Sequence, residues 1–122
     1  MRIFIASADS MFRLSLQLLL EDEPGMAVIG IADRSDGLLT QVGASQPEVL
    51  LLDWELTKPA PINLLRELEQ LEQPPKIIAL SIDSQVKEIA LASGASDFIS
   101  KNVPPDDLLP ILRRTRQSES SG

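Results

Sequence analysis

The chain has 122 residues, 43% of them hydrophobic, and a formal net charge of −7. This length and apolar content suit one compact domain, and the negative charge argues against direct binding to nucleic acid phosphates while favouring attraction of a cation such as Mg²⁺. Cysteine and histidine are absent, which excludes disulfides, thiolate metal sites and an imidazole acid or base.

Apolar runs alternate with segments of helical periodicity along the whole chain. The short apolar runs predict five strands, in chain order at residues 2–6, 26–32, 49–53, 76–82 and 97–100. The periodic segments predict five helices between and after them, at residues 11–21, 33–43, 61–71, 83–93 and 104–116. Strict alternation of this kind indicates an α/β fold: a single doubly wound, five-stranded parallel sheet with right-handed crossovers and helices on both faces.

Several residues mark the expected ends of these elements. Asp9 is a candidate N-cap for the first helix, Asp83 and Ser84 for the fourth, and Pro61 fits the first turn of the third. Gly94 suits the end of the fourth helix. We expect the domain to span residues 1–116, with 117–122 as a flexible polar tail or the start of a linker.

No targeting or membrane segment is recognisable. The start of the chain lacks the basic region and long apolar core of a signal peptide, and no window approaches the length of a membrane span. We therefore expect a soluble, cytoplasmic protein without a membrane partner.

The apolar run at residues 49–52 ends in a carboxylate, Asp53. Such a run is typical of a strand buried on both faces, and the carboxyl ends of parallel strands form the rim where ligands bind. Asp53 is therefore a candidate site residue, although an aspartate that merely begins a turn would have the same local sequence. Its neighbour Trp54 is expected to be a partly exposed loop aromatic.

Three residues would converge on one rim: Asp53 after the third strand, Ser81 after the fourth and Lys101 after the fifth. In this order and spacing they resemble the receiver domain of two-component response regulators, the CheY-like, flavodoxin-like (βα)5 fold. The resemblance covers roughly residues 2–116. The stretch 101–109 is similar to receivers that precede a helix-turn-helix DNA-binding domain.

The resemblance implies a role for each of these residues. Asp53 would accept a phosphoryl group from a histidine kinase, and Lys101 would pair first with the carboxylate and then with the phosphoryl oxygens. Ser81 would donate its hydroxyl to a phosphoryl oxygen. Phe98 falls at the family's aromatic switch position. Positioning and charge neutralisation supply most of the catalysis in phosphoryl transfer, which is consistent with these residue types.

The chain departs from the family where the first strand ends. Receivers normally carry two adjacent acidic residues there, which hold Mg²⁺ together with the phosphoacceptor, whereas this chain has Ser7 and Ala8. Mg²⁺ requires near-octahedral oxygen coordination, so losing two carboxylates should leave at most weak binding. Ile82, after Ser81, either narrows access to the site or points into the core, and Ala60 precedes a proline where an Asp/Gly turn is usual.

Two other carboxylates could compensate for the missing pair. Asp9 lies one residue beyond it and is either a helix N-cap or a metal ligand. Glu55 could bind metal, pair with Lys101, or remain a solvated loop residue. With Asp53, these are the candidate metal ligands.

The leading interpretation is an atypical receiver with impaired or altered Mg²⁺-dependent phosphorylation at Asp53. The alternative is a phosphorylation-independent interaction or dimerisation domain. An enzyme or nucleotide binder on the same fold is disfavoured, because residues 6–10 after the first strand contain no glycine to cradle a phosphate. Expected partners are a histidine kinase, a second copy through the helix 4/strand 5/helix 5 face, and a DNA-binding output domain in a longer chain.

Overall fold

The computed structural model describes the backbone of residues 1–121 and the side chains of residues 1–115. Five strands form one sheet: β1 (Arg2–Ala6), β2 (Ala27–Ala32), β3 (Val49–Asp53), β4 (Lys76–Ser81) and β5 (Asp97–Ser100). The helices are α1 (Ser10–Glu21), α2 (Leu38–Ser45), α3 (Pro61–Glu69), α4 (Val86–Ala92) and α5 (Leu108–Ser121). The predicted alternation is confirmed, and every strand lies within one residue of its expected bounds.

All neighbouring strands pair in parallel, in the order β2-β1-β3-β4-β5. The central strand β3 is buried along its whole length, as its uninterrupted apolar sequence predicts. From β1 the chain crosses to β2 on one side, and the later strands β3, β4 and β5 lie on the other side of β1. The place between β1 and β3 where the strand order reverses is called the switch point. In open α/β sheets, ligands bind there, outside the carboxyl ends of the strands.

Alternate residues of the central strands face two separate cores. One core contains Leu50 and Leu52 and is covered by α2, α3 and α4 through Leu38, Leu65 and Ala90. The other core contains Leu51 and is covered by α1 and α5, through the residues Leu16, Leu20, Leu108 and Leu112. Side chains of successive strand residues point to opposite faces, which is why one run of leucines supplies both layers.

Helix α1 begins as its cap predicts, but its apolar residues do not all face the core. Asp9 occupies the N-cap position, and its side chain accepts a hydrogen bond from the Phe12 N–H. The buried residues are Leu16 and Leu20. Met11, Leu14 and Leu18, which contribute to the helical periodicity, are exposed on the opposite side of the helix.

Three local predictions were wrong. Helix α2 begins at Leu38 rather than at residue 33, because the stretch 33–37 forms bends and a turn that ends at Gly37 with a left-handed φ of 75°.

Helix α4 begins at Val86 rather than at an Asp83–Ser84 cap, because the Asp83 carboxylate accepts the Gln85 N–H and holds a turn before the helix. Trp54 is buried rather than partly exposed. It packs into the core on the α2, α3 and α4 side because the chain continues from β3 into a 3-10 turn, Trp54–Thr57, that folds back over this core.

The third helix begins at Pro61, as predicted, and the bend at Gly94 has a positive φ of 121° that suits glycine. Helix α5 continues to Ser121, but the side chains of the segment expected to form a tail lie outside the described residues, so the boundary at residue 116 stays a prediction. Within the described part of the chain, no helix is long and apolar enough to cross a membrane.

Candidate functional site

Asp53 ends the central strand, and its buried carboxylate is held at both oxygens. Oδ1 accepts the backbone N–H of Glu55 at 3.2 Å. Oδ2 accepts the hydroxyl of Ser7 at 2.9 Å and the ammonium of Lys101 at 2.8 Å. A buried carboxylate needs such partners, since an isolated charge in a low-dielectric interior is costly. Through Oδ1 the Asp53 side chain holds the turn after β3, and through Oδ2 it contacts Ser7 and Lys101.

Ser7 lies directly after β1, at the switch point beside Asp53. Its backbone N–H donates to the Ala32 carbonyl at 3.0 Å, which continues the sheet pairing one residue beyond the strand. Its hydroxyl donates to Asp53 and accepts the Asp9 N–H at 3.2 Å. The side chain is fully buried. A carboxylate at this position would repel Asp53. Ser7 instead supplies a hydrogen-bond donor that stabilises the negative charge of Asp53.

Lys101 reaches the same site from the end of β5. Its backbone N–H donates to the Ser81 carbonyl at 2.8 Å, and its side chain is only 10% exposed. Besides the ion pair with Asp53, Nζ lies 3.5 Å from Asp9 Oδ2 and 4.7 Å from the centroid of the Phe12 ring. The site thus contains one ammonium group near two carboxylates.

Asp9 serves as helix cap and as ion-pair partner at the same time. Oδ1 accepts the Phe12 N–H at 3.1 Å, and Oδ2 faces Lys101. The hydrogen bond from Phe12 lowers the pKa of Asp9 below its ordinary value, and the nearby Lys101 ammonium lowers it further, against an opposing effect of partial desolvation.

Among the described residues, the partners of the Asp53 carboxylate do not include Ser81 or Phe98, although both lie near the site. The buried Ser81 hydroxyl accepts the Asp83 N–H at 3.0 Å, so it is turned towards the loop that leads to α4. Phe98 is half-buried against the core on the α2, α3 and α4 side. Ile82 is 63% exposed and so does not enter the core. Asn102 Nδ2 donates to the Ile82 carbonyl at 3.0 Å and ties the loops after β4 and β5 together.

Glu55 points away from Lys101. Its carboxylate pairs with Lys58 at 3.0 Å, and both side chains are more than half exposed. Within the described residues, the contact of Glu55 with the site is therefore its backbone N–H on Asp53 Oδ1.

The donor set does not fit a divalent metal ion. The two positions after β1 carry a hydroxyl and a methyl group, and the hydroxyl of Ser7 is already bonded to Asp53. No group of three or more acidic, histidine or cysteine side chains suited to a metal occurs among the described residues. Lys101 and Ser7 already occupy Oδ2 of Asp53, so Mg²⁺ would have to displace one of them to bind that oxygen or bind through Oδ1 alone.

Sequence analysis missed two residues of this site. Ser7 was noted only as a missing carboxylate, although a hydroxyl at the end of β1 is itself a donor to a neighbouring carboxylate. Phe12 follows the helical periodicity of residues 11–21, which by itself gives it no role in the site. Its spacing of three from Asp9, which places the two side chains on one side of a helical turn, is the signal that links it to the site.

The strand order and the Asp53–Lys101 pair at the carboxyl ends of the strands define a doubly wound α/β domain with a carboxylate-centred site. The model of the response regulator receiver domain family matches residues 3–113. This chain belongs to that family, and it has the fold and the function class of a receiver domain in two-component signalling.

Individual relatives support this assignment over nearly the whole chain. A protein-glutamate methylesterase/protein-glutamine glutaminase from Desulfotalea psychrophila is 28% identical over 98% of this chain, and the nitrate/nitrite response regulator protein NarL from Escherichia coli is 23% identical over 96%. The chain spans 33% and 55% of those proteins. A CheY-like receiver domain structure from Methanospirillum hungatei is 26% identical, with a TM-score of 0.80 and coverage of 99% of this chain and 98% of that one.

Proposed function

We propose that this domain is an atypical receiver, with Asp53 as its phosphoacceptor and with impaired Mg²⁺-dependent phosphorylation. The observation that carries this proposal is the double engagement of Asp53 Oδ2 by Ser7 at 2.9 Å and Lys101 at 2.8 Å. Both donors withdraw negative charge from the carboxylate. They stabilise the unreacted state without a metal ion, and a stabilised carboxylate is a weaker nucleophile.

The chemistry follows from the same geometry. In phosphoryl transfer, a carboxylate oxygen of Asp53 forms a bond to phosphorus while the bond from phosphorus to the donor's leaving group breaks. Oδ1 is the less encumbered oxygen, since it accepts a single hydrogen bond, from Glu55. Lys101, 2.8 Å from Oδ2, would follow the developing charge on the phosphoryl oxygens. The Ser81 hydroxyl accepts the Asp83 N–H and would keep its own proton for donation to a phosphoryl oxygen.

The partners follow from the receiver class. A histidine kinase would supply the phosphoryl group, and the partial coverage of longer relatives supports an output domain, DNA-binding or enzymatic, in a longer chain. The receiver itself would transmit a signal rather than catalyse a metabolic reaction, and it would meet its kinase in the cytoplasm.

The test is intact mass spectrometry after incubation with acetyl phosphate, with and without Mg²⁺, using Asp53→Asn as the control. The proposal expects little or no adduct on the wild-type chain, and any adduct should be absent from Asp53→Asn. Rapid adduct formation that requires Mg²⁺ would contradict the impairment. An adduct on Asp53→Asn would contradict the assignment of the phosphoacceptor.

The second candidate is a phosphorylation-independent interaction or dimerisation domain. The exposed apolar side chains of Ile89 and Leu91 on α4, with Val103 after β5, favour it, because this region includes the face expected to pair two copies. Light scattering across a concentration series tests the dimer, and Ile89→Glu should abolish any concentration-dependent mass. A mass that stays monomeric at every concentration would exclude dimerisation.

A further inference from the structure

The Lys101 ammonium is held from two sides. Asp53 Oδ2 lies 2.8 Å from Nζ, at the sheet, while the first turn of α1 supplies Asp9 Oδ2 at 3.5 Å and the Phe12 ring at 4.7 Å. The side chain of Lys101 is 10% exposed, so it is largely shielded from water. An ammonium near the face of an aromatic ring is attracted by the ring quadrupole, and more strongly when water is excluded.

The turn that supplies these groups is held by hydrogen bonds that do not involve Lys101. The Asp9 side chain caps α1 through Phe12 N–H, and the Asp9 carbonyl accepts the Arg13 N–H at 2.9 Å. Asp9 N–H is bonded to Ser7, which in turn donates to Asp53. These hydrogen bonds position the Asp9 carboxylate relative to Asp53, and packing against the core on the α1 and α5 side positions the Phe12 ring.

We propose that the first turn of α1 is a built-in binding site for an alkylammonium group, occupied within the chain by Lys101. Asp9 and Phe12 are its positioning residues, and the bound ammonium neutralises Asp53 in place of the divalent ion that this site does not fit. This inference extends the proposed function and rests on the same Asp53 site. It does not depend on whether Asp53 accepts a phosphoryl group.

The site makes a direct prediction about a chain that lacks the tethered ammonium. In Lys101→Ala, free propylammonium has the length and charge of the deleted atoms and should bind between Asp53, Asp9 and Phe12. We expect a saturable rise in the melting temperature of this variant with propylammonium chloride. Equal concentrations of 1-propanol or sodium chloride should not produce it, and neither should propylammonium added to the wild-type chain.

The contribution of the ring is tested by adding a second substitution. In Lys101→Ala/Phe12→Leu, the propylammonium affinity should fall about fivefold, the effect expected for a partly exposed cation–π contact. Phe12→Tyr in the same background should retain the affinity, because the ring face is kept. A folded Lys101→Ala chain that does not respond to propylammonium would overturn the proposal, and so would equal affinities with Leu and Phe at position 12.

The intact chain provides an independent test, because Lys101→Ala leaves a buried carboxylate without its cation. Ring currents from Phe12 should shift the Lys101 Hε resonances upfield in the NMR spectrum. The shift should vanish in Phe12→Leu and persist in Phe12→Tyr. Hε resonances at ordinary lysine positions in the wild-type chain would contradict the proposal. These measurements do not involve phosphorylation, so their failure is distinguishable from failure of the proposed function.

Discussion

The hydroxyl of Ser7 lies 2.9 Å from Asp53 Oδ2, the oxygen that also accepts the Lys101 ammonium. Ser7 and Asp53 are 46 residues apart and meet because β1 and β3 are neighbours in the sheet. A hydroxyl in this place stabilises the Asp53 charge, whereas a carboxylate would require a cation between the two groups. Ser7 therefore stabilises the Asp53 charge at a position where a carboxylate ligand would need a cation beside it.

Ser7→Ala should destabilise the domain by about 1.5–3 kcal/mol, because a buried carboxylate loses a hydrogen-bond donor. Urea denaturation followed by Trp54 fluorescence measures this change, since Trp54 is buried beside Asp53 and is the single tryptophan. The matched control is Ser15→Ala on the exposed side of α1, which should change stability by no more than about 0.5 kcal/mol. Equal stability of the two variants would show that the Ser7–Asp53 hydrogen bond contributes nothing.

Restoring the acidic pair should create a Mg²⁺ site. In Ser7→Asp/Ala8→Asp, the new carboxylates repel Asp53 and destabilise the domain until a divalent ion binds among them. The melting temperature of this variant should rise with added Mg²⁺, while the wild-type melting temperature should stay constant. Ser7→Asn/Ala8→Asn has similar side-chain volumes without the charges and should not respond. A wild-type chain that responds as strongly as the restored variant would contradict the metal-independent site.

The fold was largely predictable because each strand carries a strong local signal. β3 is an uninterrupted apolar run that ends in Asp53, and β5 lies between a glycine-containing turn and a lysine. The predicted first and last residues of both strands are therefore correct. The failures were in short-range geometry. The start of α4 depends on which donor the Asp83 carboxylate accepts, and the burial of Trp54 depends on the direction of the turn after β3. Neither is encoded in periodicity.

The site was predictable in its position but only partly in its contacts. Parallel strand ends necessarily bring Asp53, Ser81 and Lys101 to one rim. The hydrogen bond of Ser7 and the ring contact of Phe12 arise from tertiary packing between β1, α1 and the end of β5, which no sequence pattern specifies. The same packing decides that Asp9 can cap the helix and face Lys101 simultaneously.

Removing the Lys101 cation should lower the free energy of unfolding more than removing a surface cation does. Lys101→Met leaves the buried Asp53 carboxylate without its ion-pair partner and should destabilise the domain by about 3–5 kcal/mol in urea denaturation. Lys58→Met breaks the exposed pair with Glu55 and should cost no more than about 1 kcal/mol. Lys101→Met/Asp53→Asn should recover part of the loss, because the unpaired charge is removed. Additive losses in the double variant would contradict a direct coupling.

The Asp9 carboxylate should make stability depend on acidity. Its pKa is lowered from 3.8 in the folded state, mainly by the Phe12 N–H and also by Lys101, so the unfolded chain binds the proton more tightly. The stabilisation by ionised Asp9 is therefore complete above its unfolded pKa and is lost as the pH falls through the lower folded value. The difference in unfolding free energy between wild type and Asp9→Asn should be constant near neutral pH and shrink on acidification.

Asparagine keeps the helix cap, since its side-chain oxygen can still accept the Phe12 N–H, and removes only the charge. Urea denaturation of both chains at several values between about pH 7 and pH 3 measures the difference. A difference that is independent of pH, or one that grows on acidification, would show that ionised Asp9 does not stabilise the folded state.

Asn102 should restrain the loop that carries Ser81 and the start of α4. Its side-chain N–H donates to the Ile82 carbonyl at 3.0 Å and links the loops after β4 and β5, while Ser81 at the end of β4 accepts the Asp83 N–H from the loop. In Asn102→Ala, we expect faster hydrogen exchange at the Asp83 amide, because the loop opens more often when its anchor is removed. Asn63→Ala on the exposed side of α3 is the matched control and should leave this amide unchanged. Unaltered exchange in Asn102→Ala would show that the Asn102 hydrogen bond does not restrain this loop.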